Sequence, residues 1–136
     1  MKAEVKEKWV TELRSGKYEQ NTGALHEDGK FCCLGVLCEV AVAEGVIEPP
    51  TIDFFGAVYD GSSSVLPLSV VEWAELDGEC GNLPDFHDFP RLMDSDDCPD
   101  SDTPGHDHGY YTALTDLNDE AGFNFNQIAD VIEKKF

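Results

Sequence analysis

A small α+β fold, with about four or five helices and one or two short β-hairpins, is predicted by three features of the sequence. Apolar residues recur at helical spacing near both ends. The middle is cut into short runs by Gly- and Pro-containing turns. Apolar residues make up 41% of the 136, including 8 Phe, 4 Tyr and 2 Trp, enough for a packed core. The length is that of one domain, read as residues 1–136.

Residues 3–14 read as the first helix, because Val5, Trp9 and Leu13 repeat every four positions with Val10 beside them. Gly16 stands where a helix C′ glycine would. Residues 22–33 read as a hairpin about Asp28-Gly29, with Ala24-Leu25 and residues 30–33 as its strands. Leu34 to Glu44 is nearly all apolar, broken by Glu39, and is expected to be the buried central helix, ended by Gly45. Gly35 inside it costs about 1 kcal/mol of helix propensity relative to Ala, which a close backbone contact would explain. Pro49-Pro50 is a linker. Residues 54–59 and 62–66 are expected to pair about Asp60-Gly61.

Pro67 opens a third helix at its first position, carrying Leu68, Val71, Trp73 and Leu76. Residues 77–109 have no hydrophobic period and read as irregular. Thr112 to Ala121 is a short helix stopped by Gly122. A last helix follows, with Asn124 and Gln127 as a capping box and Phe123 and Ile128 as a hydrophobic staple. Its apolar stripe is Phe125, Ile128, Ala129 and Ile132, and Lys134 and Lys135 fall in its last turn, where cations suit the helix dipole.

Charge excludes several functions. There are 28 Asp+Glu against 9 Lys+Arg, a formal net charge of −19, and Arg91 is the one base between Phe31 and Glu133. A sequence-independent nucleic-acid binder needs Lys and Arg to displace counterions, so direct nucleic-acid binding is not expected. An anionic membrane surface is disfavoured for the same reason. No apolar run approaches the roughly 20 residues of a membrane span, and the polar, charge-alternating start MKAEVKEKWV does not read as a signal peptide. A cytoplasmic protein is expected. Five cysteines, an odd number, argue against a disulfide scaffold.

Two blocks carry a resemblance, and a stretch between them also fits it. LRSGKYEQNTGALHEDGKFCCLGVLC, from Leu13 to Cys38, and LNDEAGFNFNQIADVI, from Leu117 to Ile132, with VLPLSVVEWAELDG between them, resemble small uncharacterised proteins encoded by tailed bacteriophages. The resemblance implies a phage accessory protein acting on a host component, and attaches no activity to any residue. Residues 83–109 read as an acidic insertion of this member.

Several constellations bear on chemistry. Asp85, Asp88, Asp94, Asp96, Asp97, Asp100, Asp102 and Asp107 form an acidic stretch opposed by Arg91 alone. They would present a negative face to a host protein with a basic surface, such as a defence or nucleic-acid-binding protein, in competition with phosphate. The same acids suggest a Ca²⁺ module, but Pro104 and Tyr111 break the EF-hand register counted from Asp100. His87, Cys98, His106 and His108 suggest zinc, at spacings that match no compact zinc module.

Arg14, Lys17, Tyr18, Gln20 and Lys30 concentrate cationic and aromatic groups in a family-like block, the alternative site for a small anionic ligand such as a nucleotide. Cys32, Cys33 and Cys38 read as buried hydrophobes, with His26 across the hairpin from them. No motif of a nucleophilic, phosphate-binding or metalloprotease site occurs. The C-terminal helix pair lacks the recognition helix that DNA binding would need. No enzyme and no cofactor are expected.

Overall fold

The computed structural model describes residues 1–53, 56–76, 78–83 and 113–136. Its centre is α2, Cys33–Ala43, whose residues from Cys33 to Cys38 are all buried. A helix apolar on every side has no solvent face and must be surrounded. α1, Ala3–Arg14, packs on it and buries Val5, Trp9, Val10 and Leu13. The one polar atom of the Trp9 side chain is satisfied there, because Nε1 donates to the Cys33 carbonyl at 2.9 Å. α5, Phe125–Lys135, lies against α1, and α4, Leu114–Asp119, lies between α2 and α5. The expected capping box of α5 forms in both directions. The Gln127 N–H donates to Asn124 Oδ1, and the Asn124 N–H to Gln127 Oε1, each at 2.9 Å.

A three-stranded sheet covers the amino end of α2. Its strands are β1 (Glu19–Gln20), β2 (His26–Glu27) and β3 (Lys30–Phe31). β3 is central, parallel to β1 and antiparallel to β2, with His26 opposite Phe31 and Glu27 opposite Lys30. The turn is Asp28-Gly29 as expected. Both residues have positive φ, 53° and 76°, as a type I′ turn requires. The strand before the turn begins at His26, later than the Ala24-Leu25 expected. Leu25 keeps only half of the next rung of the ladder. Its N–H donates to the Ser63 carbonyl at 2.8 Å, and its own carbonyl accepts from the Cys32 N–H at 3.2 Å. This places Leu25 against Gly35, where a Cβ would lie 1.8 Å from the Leu25 carbonyl oxygen. The close contact invoked for Gly35 is thus present.

The second hairpin differs from expectation. Its strands are β4 (Thr51–Asp53) and β5 (Gly56–Val58), antiparallel with Thr51 opposite Val58. The Asp60-Gly61 turn forms, but it joins only the bridge between Tyr59 and Ser62. Beyond it the ladder cannot continue, because the Ser63 carbonyl is taken by Leu25 and the Leu66 N–H donates to the Glu79 carbonyl at 2.9 Å. α3, Leu68–Ala74, is shorter than expected, and Pro67 caps it from an extended conformation instead of opening its first turn. Val70 and Ala74, four apart, face the core, so Leu68 is left 70% exposed.

Among the described residues five helices and two small sheets make up a mixed α+β fold. No helix among them is long and apolar enough to cross a membrane.

Candidate functional site

The two outer family-like blocks meet at one buried side chain. Asn118, 2% exposed, uses all four of its hydrogen-bonding positions. Its Oδ1 accepts from Gln20 Nε2 at 2.8 Å and from the Cys33 N–H at 3.2 Å. Its Nδ2 donates to the Asn21 carbonyl at 2.8 Å and to Asp119 Oδ1 at 2.7 Å. The Cys33 N–H opens α2, whose N-cap residue Cys32 makes no side-chain cap. Asn118 therefore caps α2 from a distant helix. Gln20 donates its second amide hydrogen to the Phe123 carbonyl at 2.7 Å, and Asp119 Oδ1 also accepts from the Gly23 N–H at 3.2 Å. The Gln-Asn and Leu-Asn-Asp runs of the two blocks are explained by this network.

A second polar group lies at the β2 edge of the three-stranded sheet. Glu39 interrupts the apolar run of α2, and its Oε2 accepts from Tyr59 Oη at 2.9 Å. Tyr59 is fully buried, and its Oη lies 3.1 Å from His26 Nδ1. The His26 ring stacks on Phe31, with centroids 4.0 Å apart and planes at 19°, and Tyr18 meets Phe31 edge-on at 4.9 Å. Burial, reinforced by the bond to Glu39, drives the Tyr59 phenol far above its ordinary value. The Tyr18 phenol is pushed up to about 12, first by burial and then by the negative charges of Glu12 and Glu39. Both phenols thus stay protonated donors. Four elements meet here: α2 supplies Glu39, β2 His26, β3 Phe31, and the segment after β5 Tyr59.

The cationic block does not assemble as a ligand grip. Arg14 turns to α5, where Glu133 takes both guanidinium nitrogens at 2.7 and 3.1 Å and Asp130 takes one at 2.5 Å. This occupies the cation beside an open groove of about 680 Å³ along α1, lined in part by Lys6, Val10 and Glu133. Lys17 pairs with Glu12 at 2.9 Å, and Gln20 belongs to the Asn118 network. Lys30 is exposed on β3. Of the expected five, only Tyr18 reaches the aromatic group around His26.

The cysteines of α2 behave as expected of buried hydrophobes. Burial pushes Cys32 up to about 11 and raises Cys33 and Cys38 well above the ordinary thiol range, which disfavours a thiolate nucleophile. His26 turns to Tyr59. Asp85, Asp88, Asp94, Asp96, Asp97, Asp100, Asp102 and Asp107 lie outside the described residues, as do the zinc candidates His87, Cys98, His106 and His108. Among the described residues no group of three or more His, Cys, Asp or Glu side chains is arranged to hold a metal ion.

The relay of Glu39, Tyr59 and His26 escaped sequence reasoning, although one signal for it was present. A carboxylate inside an otherwise apolar helix requires a buried donor. Its partners lie 20 and 33 residues away from one another along the chain, with no local period to reveal them.

No curated protein and no solved structure matches the chain. A family model described as a domain of unknown function, DUF8296, matches residues 1–136. The chain therefore belongs to the DUF8296 family.

Proposed function

We propose that this protein is a small acidic phage accessory protein, working in the host cytoplasm, that binds a basic surface on a host protein and competes there with nucleic acid. The observation that carries this reading is where the cations are committed. Lys8 pairs with Glu44, Arg14 with Asp130 and Glu133, and Lys17 with Glu12. These pairs leave a chain of net charge −19 with an excess of carboxylates. They also weaken the anionic-ligand alternative, whose arginine and first lysine are already neutralised. Carboxylates facing an Arg/Lys-rich groove speed encounter and fix orientation through complementary fields.

The test is capture of host proteins by the immobilised chain at low and at high salt, with duplex DNA added as competitor. A partner released by salt and by duplex DNA is expected. Changing Asp94, Asp96, Asp97 and Asp100 together to Asn should weaken its capture and flatten the salt dependence. A partner held equally at both salt concentrations and indifferent to DNA, or no partner at all, overturns the proposal.

A further inference from the structure

We infer that Tyr59 and Glu39 lock the neutral ring of His26 in its Nδ1–H tautomer, in which Nε2 is the bare nitrogen and an acceptor for an N–H or O–H donor on a binding partner. A phenol has one hydrogen to donate. Tyr59 Oη lies 2.9 Å from Glu39 Oε2, and a carboxylate brings no hydrogen of its own to that contact. The phenol hydrogen therefore goes to Glu39. What Oη then offers His26 Nδ1, 3.1 Å away, is a lone pair, and the contact is a hydrogen bond only if Nδ1 carries the proton. The opposite tautomer would set two lone pairs against each other beside a buried phenol.

The surroundings keep the ring in place. The imidazole is stacked on Phe31, and the His26 backbone is paired in the sheet opposite that residue. On its other side, the His26 carbonyl lies so close to Gly56 that a Cβ there would approach it to 2.7 Å. Nε2 bonds no described residue, and His26 is half-buried. A fixed ring with one defined acceptor atom has little orientational freedom left to lose on binding. Its chemistry selects donors. An ammonium, guanidinium, amide or hydroxyl group satisfies Nε2, whereas a carboxylate or phosphate does not.

The test is ¹⁵N NMR of the His26 ring on the full chain, recorded in alkaline buffer. The wild type should show a protonated Nδ1 and a bare Nε2. Tyr59→Phe keeps the buried ring and removes only the oxygen, so the single tautomer signature should be lost while the fold is retained. Glu39→Gln keeps the size of the side chain and should weaken the same signature. A protonated Nε2 in the wild type, or a tautomer unchanged in Tyr59→Phe, overturns the assignment.

Access to Nε2 is read separately with diethyl pyrocarbonate. The bare imidazole nitrogen attacks one of its carbonyl carbons, forming an N–C bond and releasing ethanol and carbon dioxide. Modification of His26, located by peptide mass spectrometry, is expected. A His26 that stays unmodified while the protein is folded overturns its role as an accessible acceptor.

Discussion

Two polar junctions tie the amino-terminal part of the chain to its last two helices, and they differ in burial. At Asn118 a neutral amide is sealed from water and saturated by four hydrogen bonds. At Arg14 a charged fork meets two carboxylates in the open, with side chains 37% to 63% exposed. The open junction has the larger charges and the shorter contacts, yet water and salt compete for each of its partners. The buried junction has no competitor for its bonds. If one partner is removed, the groups left behind cannot turn to solvent. Distances and charges alone would rank the open junction first, and the physics of desolvation reverses that order.

The largest effect is expected at the backbone contact beside the buried junction. Gly35→Ala would drive a methyl into the Leu25 carbonyl, which is held by its own hydrogen bond from Cys32. Neither backbone has a flexible end to move, so a loss of about 3 kcal/mol or more is expected in chemical denaturation. A variant as stable as the wild type would show that the two segments separate easily.

Asn118→Ala comes next. It strands the Cys33 N–H, the Asn21 carbonyl and one Gln20 amide hydrogen, for a cost of about 3 kcal/mol. If the loss were no greater than that of an ordinary surface substitution, the contrast between the two junctions would fail.

Arg14→Gln should have the smallest effect, and salt should erase it. Its pH dependence has a definite sign. The hydrogen bonds from Arg14 hold Glu133 below the ordinary carboxylate range. A carboxyl with a lowered value in the folded state contributes stability above its unfolded value, about 4.3, and loses it as the pH falls through the folded value. Melting curves of wild type and variant should therefore differ slightly near neutral pH and converge in acid. A gap that widens in acid would contradict the pairing.

The parts of this fold legible in the sequence are those whose cause is local. α1 and α5 followed from four-residue spacing and a capping box, and the Asp28-Gly29 turn from its need for positive φ. Even the Gly35 contact could be expected, because a glycine within a helix needs a reason. What could not be read has its cause elsewhere in the chain. The second hairpin sits earlier than the residue pattern suggests because Leu25 and Glu79 claim the backbone groups that would have extended it. Leu68 looks like a core residue until α3 turns Val70 and Ala74 inward. Asn118 looks like a solvent-facing residue of a short helix until α2 is set against it. Of the candidate site, Tyr18 stands out in the sequence only as the aromatic of the cationic block, and His26 only as the residue across the hairpin from the cysteines.

The cap that Asn118 places on α2 comes from 85 residues further along the chain. A ribosome adding 5–20 residues each second needs roughly 4–17 s to make that stretch. Throughout that interval α2 stands without the residue that finishes its first turn, and without α4 to cover it. Until the Leu117-Asn118-Asp119 run arrives, that helix is open to aggregation and proteolysis.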